Sequence, residues 1–205
     1  MKTIEVKLMK FDELSKEAQE KAIEKNRDFN IDNDFWSECV KENWEEKLEK
    51  LGYENIRILY SGFYSQGDGA CFTAGVDVTK WIKAHKASKR YRKILQHVKN
   101  EGTASVSITH NAHYYYSTST SIDETLADYE ETKDEFKKAI EKASGIDLET
   151  QWEKFLIDIS DEKEELGNKI YNDLQTEYEY LTSNGAIKEA LEGNDYDFDE
   201  DGNII

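Results

Sequence analysis

Three glycines in the stretch "SGFYSQGDGACF" stand beside side chains that could contact a ligand, between two predicted strands. Glycines at a turn can let backbone N–H groups approach a phosphate, but phosphate-binding loops carry a lysine and lead into a helix. Here the glycines lead into a strand, so the sequence predicts a hairpin in which Gly67 and Gly69 adopt positive φ. The alternative is a polar-ligand or partner contact through Tyr64, Gln66 and Asp68.

Two histidines in the stretch "HNAH" are close enough in sequence to share a metal ion. His110 and His113 would suit zinc if they lay on a helix, but their position predicts a hairpin turn, and no third ligand is evident. Turn histidines are therefore expected, with a metal site as the alternative.

The acidic stretch "NDYDFDEDGNII" resembles the first half of a calcium-binding loop. Asp197, Asp199 and Asp201 match the first, third and fifth ligand positions of an EF-hand, but the bidentate Glu of its last position would lie past Ile205. The sequence predicts instead a terminal strand that turns at Asp201-Gly202. No cofactor is expected.

The charge of the chain is unevenly distributed. The 44 acidic and 27 basic residues give a net charge of −17. Residues 123–205 hold 26 acidic and 8 basic residues, whereas residues 1–122 hold 18 acidic and 19 basic residues. Residues 80–99 contain eight basic residues and no acidic one. Such asymmetry informs about partners rather than about fold.

The basic segment could serve as a nucleic-acid face because stackable aromatics lie near its cations. The candidate side chains of this face are Lys86, Lys89, Arg90, Arg92 and Lys93. The alternatives are a protein partner and an internal role, in which basic and acidic helices neutralise each other.

Hydrophobic periodicity predicts an α+β protein. Strand alternation occupies residues 3–11, and helical spacing follows over residues 12–29 with Asp12 as N-cap. Further helices are predicted at about 34–51, 80–99, 124–143, 147–182 and 186–192. Two antiparallel hairpins are predicted, "YENIRILYSGFY" with "ACFTAGVDV", and "TASVSIT" with "HYYYSTSTSI".

These elements predict a small antiparallel sheet of hairpins packed with helices, plus an acidic C-terminal helical hairpin. By charge the chain divides into a near-neutral mixed part (1–122) and an acidic helical part (123–205), which together are expected to form one folding unit. No transmembrane run or signal peptide is expected, and no membrane partner. Two cysteines, Cys39 and Cys71, are predicted to be buried thiols, which favours a reducing, cytoplasmic location.

Three stretches carry a resemblance: residues 11–36, "FDELSKEAQEKAIEKNRDFNIDNDFW", the glycine stretch at 61–72, and the acidic stretch at 194–205. They resemble a broad group of small acidic proteins from phages and other mobile elements, some labelled antitoxin-like. The resemblance implies neither a mechanism nor catalytic residues. Proteins of this context are often inhibitors of host defence, including anti-CRISPR proteins.

Charge and resemblance together predict a non-enzymatic inhibitor of a basic defence protein that handles nucleic acid, such as a CRISPR effector nuclease. The inhibitor would bind this protein as an acidic mimic of nucleic acid. Its predicted contact residues lie on the long helix: Asp161, Glu162, Glu164, Glu165, Asp173, Glu177 and Glu179. The first alternative is an antitoxin-like or nucleic-acid-binding module that acts through residues 80–99. The second is a small-ligand or metal-dependent enzyme.

Overall fold

The computed structural model describes residues 7–127, 140, 142–144 and 147–205. Two compact units are present: unit 1 comprises Met1–Val40 and Asp173–Ile205, and unit 2 comprises Lys41–Asn172. The predicted α+β class and the C-terminal helical hairpin are confirmed. No helix within the described residues is long and apolar enough to cross a membrane.

Unit 2 contains a four-stranded antiparallel sheet in the order β1-β2-β3-β4. The strands are β1 (Tyr53–Tyr60), β2 (Ala70–Val76), β3 (Thr103–His110) and β4 (Thr120–Ala127). The first predicted hairpin is confirmed. In the second, β3 is confirmed, but its partner strand covers residues 120–127 and not the predicted 113–122. The second hairpin has a longer connection than predicted, because a single turn of 3₁₀ helix (Ser117–Ser119) precedes β4 and leaves the three tyrosines of "HYYY" in a loop.

The prediction of helix at residues 124–127 is wrong, because these residues extend β4 and pair with β3. The rest of that prediction falls mostly outside the described residues, although residues 140, 142 and 143 are helical.

The helices that contribute to unit 2 are α2 (Phe35–Leu51), α3 (Val78–Ala84), α4 (Arg92–Lys99) and α5 (Leu148–Leu181), of which α2 and α5 also reach into unit 1. The prediction of one basic helix over 80–99 is wrong. Lys86 has φ of 54°, and Ala87 N–H donates to the Ile82 carbonyl at 2.9 Å. This is the bonding pattern of a left-handed helix end, and it separates α3 from α4.

The core of unit 2 lies between the sheet and the apolar face of α5. Strand β2 is buried along most of its length because it is central in the sheet. On α5 the Phe155 ring packs edge-on against Trp81 and Tyr91, at centroid distances of 5.1 and 5.5 Å. Gly167 lets α5 approach the sheet closely, since a β-carbon there would lie 3.1 Å from the Ala70 carbonyl oxygen.

Unit 1 is built from both ends of the chain. It contains α1 (Lys16–Lys25), α6 (Asn184–Gly193), a 3₁₀ turn at Phe29–Ile31 and the adjoining ends of α2 and α5. The cap of α1 is Ser15, whose hydroxyl accepts a hydrogen bond from Ala18 N–H, so the prediction of Asp12 was wrong. Asp12 instead lies in a 3₁₀ turn at Phe11–Glu13.

The terminal segment closes the core of unit 1. Phe198 is fully buried and forms antiparallel bridges with Met9 and with Ile204. Gly202, at φ of 78°, makes the intervening turn, and a β-carbon there would lie 2.3 Å from the Ala18 carbonyl oxygen. Of the predicted strand at 3–11, residues 3–6 lie outside the described residues. In the remainder, Met9 forms one bridge.

Candidate protein-interaction surfaces

The glycine loop connects β1 to β2 and holds an exposed tyrosine in an unfavourable backbone conformation. Tyr64 is 68% exposed and has φ of 74°, a region that bulky residues rarely adopt. The turn is fixed by the Asp68 carboxylate, which accepts a hydrogen bond from Ser65 N–H at 2.7 Å. Gly67 has the predicted positive φ, at 103°, but Gly69 does not. The prediction for Gly69 was therefore wrong.

Gly67 and Gly69 are required because a second loop packs directly onto their backbone. A β-carbon at Gly67 would lie 2.7 Å from the Tyr114 ring, and one at Gly69 would lie 3.0 Å from the Tyr115 carbonyl oxygen. Residues 111–116 thus rest on the glycine loop. The rings of Tyr114 and Tyr116 lie 5.5 Å apart and are 49% and 37% exposed.

The exposed rings of Tyr64, Tyr114 and Tyr116 are called here the tyrosine surface. Sequence reasoning included Tyr64 among the candidate residues but not Tyr114 or Tyr116. The run "HYYY" was visible only as aromatic residues near a basic segment. Three adjacent tyrosines before a strand were the available signal, but they gave no indication that a glycine backbone lay beneath them.

The two loops are anchored to α5. The Phe63 ring lies 5.5 Å from that of Tyr171, and Ser117 donates a hydrogen bond to the Asn168 amide oxygen at 3.0 Å. Burial, together with the nearby Asp68 carboxylate, raises the pKa of Tyr171. Contacts with α5 therefore fix the position of the two loops that carry the tyrosine surface.

The seven predicted acidic contact residues of α5 fall in both units. In unit 2, Asp161 is exposed, and Glu165 is exposed and accepts from Lys169 Nζ at 2.6 Å. Glu164 is half-buried and lies 3.6 Å from Lys163 Nζ.

In unit 1, Asp173 and Glu179 are exposed, whereas Glu177 is half-buried. Glu179 accepts a hydrogen bond from the Gln175 side chain at 3.0 Å. These three carboxylates therefore lie at the surface of unit 1, along the last turns of α5.

Glu162, the remaining member of that set, is turned inward and holds α5 against α3. Its Oε2 accepts hydrogen bonds from Tyr53 Oη and Trp81 Nε1, both at 2.7 Å. Its Oε1 lies 2.6 Å from His85 Nε2, and the other ring nitrogen of His85 lies 2.8 Å from the Trp81 carbonyl oxygen. Burial and the Glu162 carboxylate raise the pKa of Tyr53 far above its ordinary value.

Two consequences follow from this cluster. Both oxygens of Glu162 have partners inside unit 2, which gives this carboxylate a structural role. Both nitrogens of His85 face acceptors, so neither is directed at an external substrate as a general base. The sequence did not indicate this cluster, because its members come from three distant segments of the chain.

A second carboxylate of α5 binds the basic segment. Asp158 forms an ion pair with Arg90 at 3.0 Å and accepts a hydrogen bond from Tyr91 Oη. Burial and this hydrogen bond raise the pKa of Tyr91. The Arg90 guanidinium also lies 5.2 Å from the centroid of the Tyr91 ring. One of the predicted nucleic-acid-binding cations is thus engaged within unit 2.

The other cations of the basic segment face solvent. Lys86, Lys89 and Arg92 are exposed, and Lys93 is half-buried, with its backbone N–H donating to the Gln151 side chain at 2.9 Å. Lys80, Lys83 and Lys99 are also exposed. Arg90 differs from the exposed cations of this segment in its ion pair with Asp158.

The residues considered for metal binding have other partners. His110 Nε2 lies 3.0 Å from the Tyr114 carbonyl oxygen, and the His113 ring lies 4.8 Å from that of Tyr114. The described part of the chain contains no group of three or more His, Cys, Asp or Glu side chains that could hold a metal ion.

The terminal aspartates stabilise the chain end. Asp199 accepts hydrogen bonds from Asp201 N–H and from the backbone and side chain of Asn203, and the Asn203 amide lowers the pKa of the Asp199 carboxyl. Asp197 forms an ion pair with Lys10 at 2.9 Å. This pair, with the contact to Asp195, raises the pKa of Lys10.

The net charge also differs between the two units, although less sharply than between residues 1–122 and 123–205. Unit 1 has 20 acidic and 8 basic residues, a net charge of −12 in 73 residues. Unit 2 has 24 acidic and 19 basic residues, a net charge of −5 in 132 residues. Unit 1 is therefore the strongly acidic part of the protein.

Comparison with known proteins identifies one family. The model of a family described as a domain of unknown function (DUF8835) matches residues 36–184, more than two thirds of the chain. The matched residues contain all of unit 2, including both loops of the tyrosine surface, and part of unit 1. No curated protein and no solved structure matches the chain.

Proposed function

Because the chain belongs to the DUF8835 family, a domain family of unknown function, we propose a function from its charge and exposed side chains. The protein is a non-enzymatic inhibitor that binds a basic nucleic-acid-handling protein and competes with nucleic acid for it. The resemblance to phage and mobile-element proteins supports a host-defence protein as the target, with a CRISPR effector nuclease as the specific candidate.

The observation that carries this proposal is the net charge of −12 on unit 1. Several of its basic residues are already paired within the unit: Lys10 with Asp197, Lys21 with Glu17, and Arg27 with Glu24. The excess of carboxylates consequently dominates the field around unit 1. Such a field accelerates the approach of a basic partner and repels nucleic acid.

The spacing of the carboxylates on α5 supports a mimic of nucleic acid. Asp173 and Glu177 lie on one face of the helix, about 6 Å apart along its axis at a rise of about 1.5 Å per residue, and Glu179 lies on the opposite side. The separation of the first two is of the same order as the roughly 3.4 Å between phosphates on one strand of duplex DNA.

The test is a competition experiment. A CRISPR effector nuclease is loaded with labelled target DNA, the protein is added, and both the DNA occupancy and the association rate are measured at several salt concentrations. We expect displacement of DNA and an association rate that falls steeply with salt, because solvent-exposed charges are screened within about 8 Å at physiological ionic strength. Absence of binding, or binding that leaves DNA occupancy unchanged, would contradict the proposal.

A matched pair of triple variants separates a specific acidic surface from net charge. Replacing Asp173, Glu177 and Glu179 by Lys is expected to slow association roughly tenfold or more. The control makes the same charge change at exposed positions of unit 2, with Glu42, Glu49 and Glu153 replaced by Lys. Equal effects of both variants would show that net charge alone steers the encounter.

The exposed cations of unit 2 favour a second candidate function, binding of nucleic acid through α3 and α4. Replacing Lys86, Lys89 and Arg92 by Glu should then abolish a complex with duplex DNA and reduce the slope of affinity against salt. Arg90 is left unchanged because it pairs with Asp158. A gel shift that shows no complex at about 50 mM salt, a permissive concentration for such binding, would remove this candidate.

A further inference from the structure

We propose that the tyrosine surface is a second contact site for the same basic partner and that it binds arginine side chains. This inference rests on the function proposed above, and it assigns a contact chemistry to the two loops at 61–69 and 111–116. The acidic surface of unit 1 would steer the partner, whereas the tyrosine surface would hold specific side chains of it.

The exposure and arrangement of the rings support a binding role. Tyr64, Tyr114 and Tyr116 are exposed by 68%, 49% and 37%, although tyrosine buries a large apolar area when it finds a partner. Tyrosine is enriched among the residues that dominate the binding energy of protein interfaces. The rings of Tyr114 and Tyr116 lie 5.5 Å apart, and their loop touches the loop that carries Tyr64 at Gly67. Exposed aromatic side chains gathered on touching loops are typical of an interaction site.

The loops are pre-organised at a conformational cost. Tyr64 is held at φ of 74°, and backbone in this region costs about 1–2 kcal/mol for a residue with a side chain. Gly67 and Gly69 let the second loop lie against the first. Strain and close packing of this kind cluster at binding sites, because a fixed surface loses less entropy when a partner binds.

The charge of the loops identifies the chemistry of the occupant. Residues 61–69 and 111–116 contain no lysine or arginine, and their one carboxylate is that of Asp68. A phosphate-bearing partner would find no cation in these loops. Tyrosine ring faces attract cations, and arginine is the usual partner because it can also stack on the ring. Asp68 can accept further hydrogen bonds from a guanidinium group, since Ser65 N–H uses only part of its acceptor capacity.

A peptide-binding measurement tests this surface on its own. The probe is a fluorescein-labelled peptide of repeating Arg-Gly-Gly, with a Lys-Gly-Gly peptide of equal length for comparison, and binding is followed by fluorescence anisotropy. We expect the arginine peptide to bind more tightly. Each of Tyr64→Ala, Tyr114→Ala and Tyr116→Ala should weaken its binding about two- to fivefold, and the triple variant should weaken it more than tenfold.

The control variants distinguish ring chemistry from general exposure. Tyr180→Ala removes a tyrosine that is 60% exposed in unit 1 and should leave binding of the arginine peptide unchanged. Tyr114→Phe retains the ring and should bind within about twofold of the wild type. Circular dichroism of each variant confirms that the fold is retained. Unchanged binding by the triple variant, or an equal loss in Tyr180→Ala, would overturn the inference.

The nuclease assay separates failure of this inference from failure of the proposed function. If the wild type does not bind the nuclease, the proposed function fails. If the wild type displaces DNA and the triple tyrosine variant does so with equal affinity, only the present inference fails. Tighter binding of a single-stranded oligonucleotide than of the arginine peptide, lost in the triple variant, would also overturn it and assign the rings to base stacking.

Discussion

Helix α5 is divided between unit 2 (residues 148–172) and unit 1 (residues 173–181), and the two parts carry carboxylates at similar density but use them differently. In unit 2, Asp158 and Glu162 accept hydrogen bonds from tyrosine, tryptophan, arginine and histidine donors and fix the helix to the rest of the unit. In unit 1, Asp173 and Glu179 face solvent. An acidic run in a sequence therefore does not indicate one role, because the face of the helix decides whether a carboxylate is turned inward or lies at the surface.

The cores of the two units also differ in their use of carboxylates. The core cluster of unit 1 is apolar and joins both ends of the chain: Phe11, Leu14, Ala18, Ala22, Ile187, Leu191 and Phe198. Unit 2 combines an aromatic core with the two hydrogen-bonded carboxylates. Loss of apolar volume should thus be the more damaging change in unit 1, and loss of a hydrogen-bond acceptor should be severe in unit 2.

The largest effect is expected from Phe198→Ala in unit 1. Phe198 is fully buried, packs edge-on against Phe11 at 5.9 Å and lies between Met9 and Ile204, so its removal leaves a cavity. We expect the free energy of unfolding to fall by about 4 kcal/mol. Urea denaturation followed by circular dichroism measures this change.

The control for Phe198→Ala is Ile205→Ala, at a position that is 66% exposed, where a change within about 0.5 kcal/mol is expected. A loss below about 1 kcal/mol for Phe198→Ala would show that the terminal segment is not part of the core. Such a result would favour the alternative interpretation of "NDYDFDEDGNII" as a calcium-binding loop.

The next largest effect is expected from Glu162→Ala in unit 2. This change leaves the side-chain donors of Tyr53, Trp81 and His85 without their acceptor in a largely buried site. We expect a loss of about 3 kcal/mol in the free energy of unfolding, and a smaller loss for Glu162→Gln, which retains one acceptor oxygen. Tryptophan fluorescence during urea denaturation follows the change, because Trp81 contacts the site directly.

Glu165→Ala is the matched control on the same helix. Its side chain is exposed and paired with Lys169, so we expect a change within about 0.5 kcal/mol. Similar losses for Glu162→Ala and Glu165→Ala would contradict the distinction between structural and surface carboxylates on α5.

Much of the fold could be predicted from the sequence because its local signals are strong. The glycine turn between β1 and β2, the long apolar stripe of α5 and the glycine after α2 each predicted an element close to its observed bounds. The errors at Asp12 and at the basic segment arose where a tertiary contact or a local cap overrides periodicity. Ser15 caps α1, and Lys86 in a left-handed conformation ends α3.

The candidate surfaces were less accessible to sequence reasoning. Contact between Gly67 and Tyr114 joins segments about forty-seven residues apart, and no periodicity encodes it. The inward orientation of Glu162 was likewise invisible, because its donors come from β1 and α3. Sequence composition located the acids but not the face on which each one lies.

A smaller effect is expected from Gly67→Ala in the glycine loop of unit 2. The position has φ of 103°, and a β-carbon would lie 2.7 Å from the Tyr114 ring, so the second loop must shift. We expect a loss of about 2 kcal/mol in the free energy of unfolding, from backbone strain and displaced packing. Gly62→Ala, in the same loop, is the control, since its nearest neighbour would be the Asp68 carboxylate at 3.8 Å. Equal stability of the two variants would show that Tyr114 is not seated on the glycine backbone.

The smallest expected effect is a difference in thiol reactivity between the two cysteines, one of which lies in each unit. Both were predicted to be buried, but Cys39 in unit 1 is exposed, whereas Cys71 in unit 2 is buried. Burial raises the pKa of the Cys71 thiol from 9.0 to about 11. At pH 8 only about one in a thousand Cys71 side chains is therefore ionised, and the thiolate is the reactive form.

Ellman's reagent at pH 8 should consequently titrate one thiol rapidly in the folded protein and a second only after unfolding. Cys39→Ser should remove the rapid reaction, and Cys71→Ser should leave it unchanged. Because the pKa of Cys71 is raised in the folded state, its contribution to stability is present below about pH 9 and is lost as the pH rises through about 11. Two thiols that react at the same rate at pH 8 would contradict the burial of Cys71 and the contrast between the exposed thiol of unit 1 and the buried thiol of unit 2.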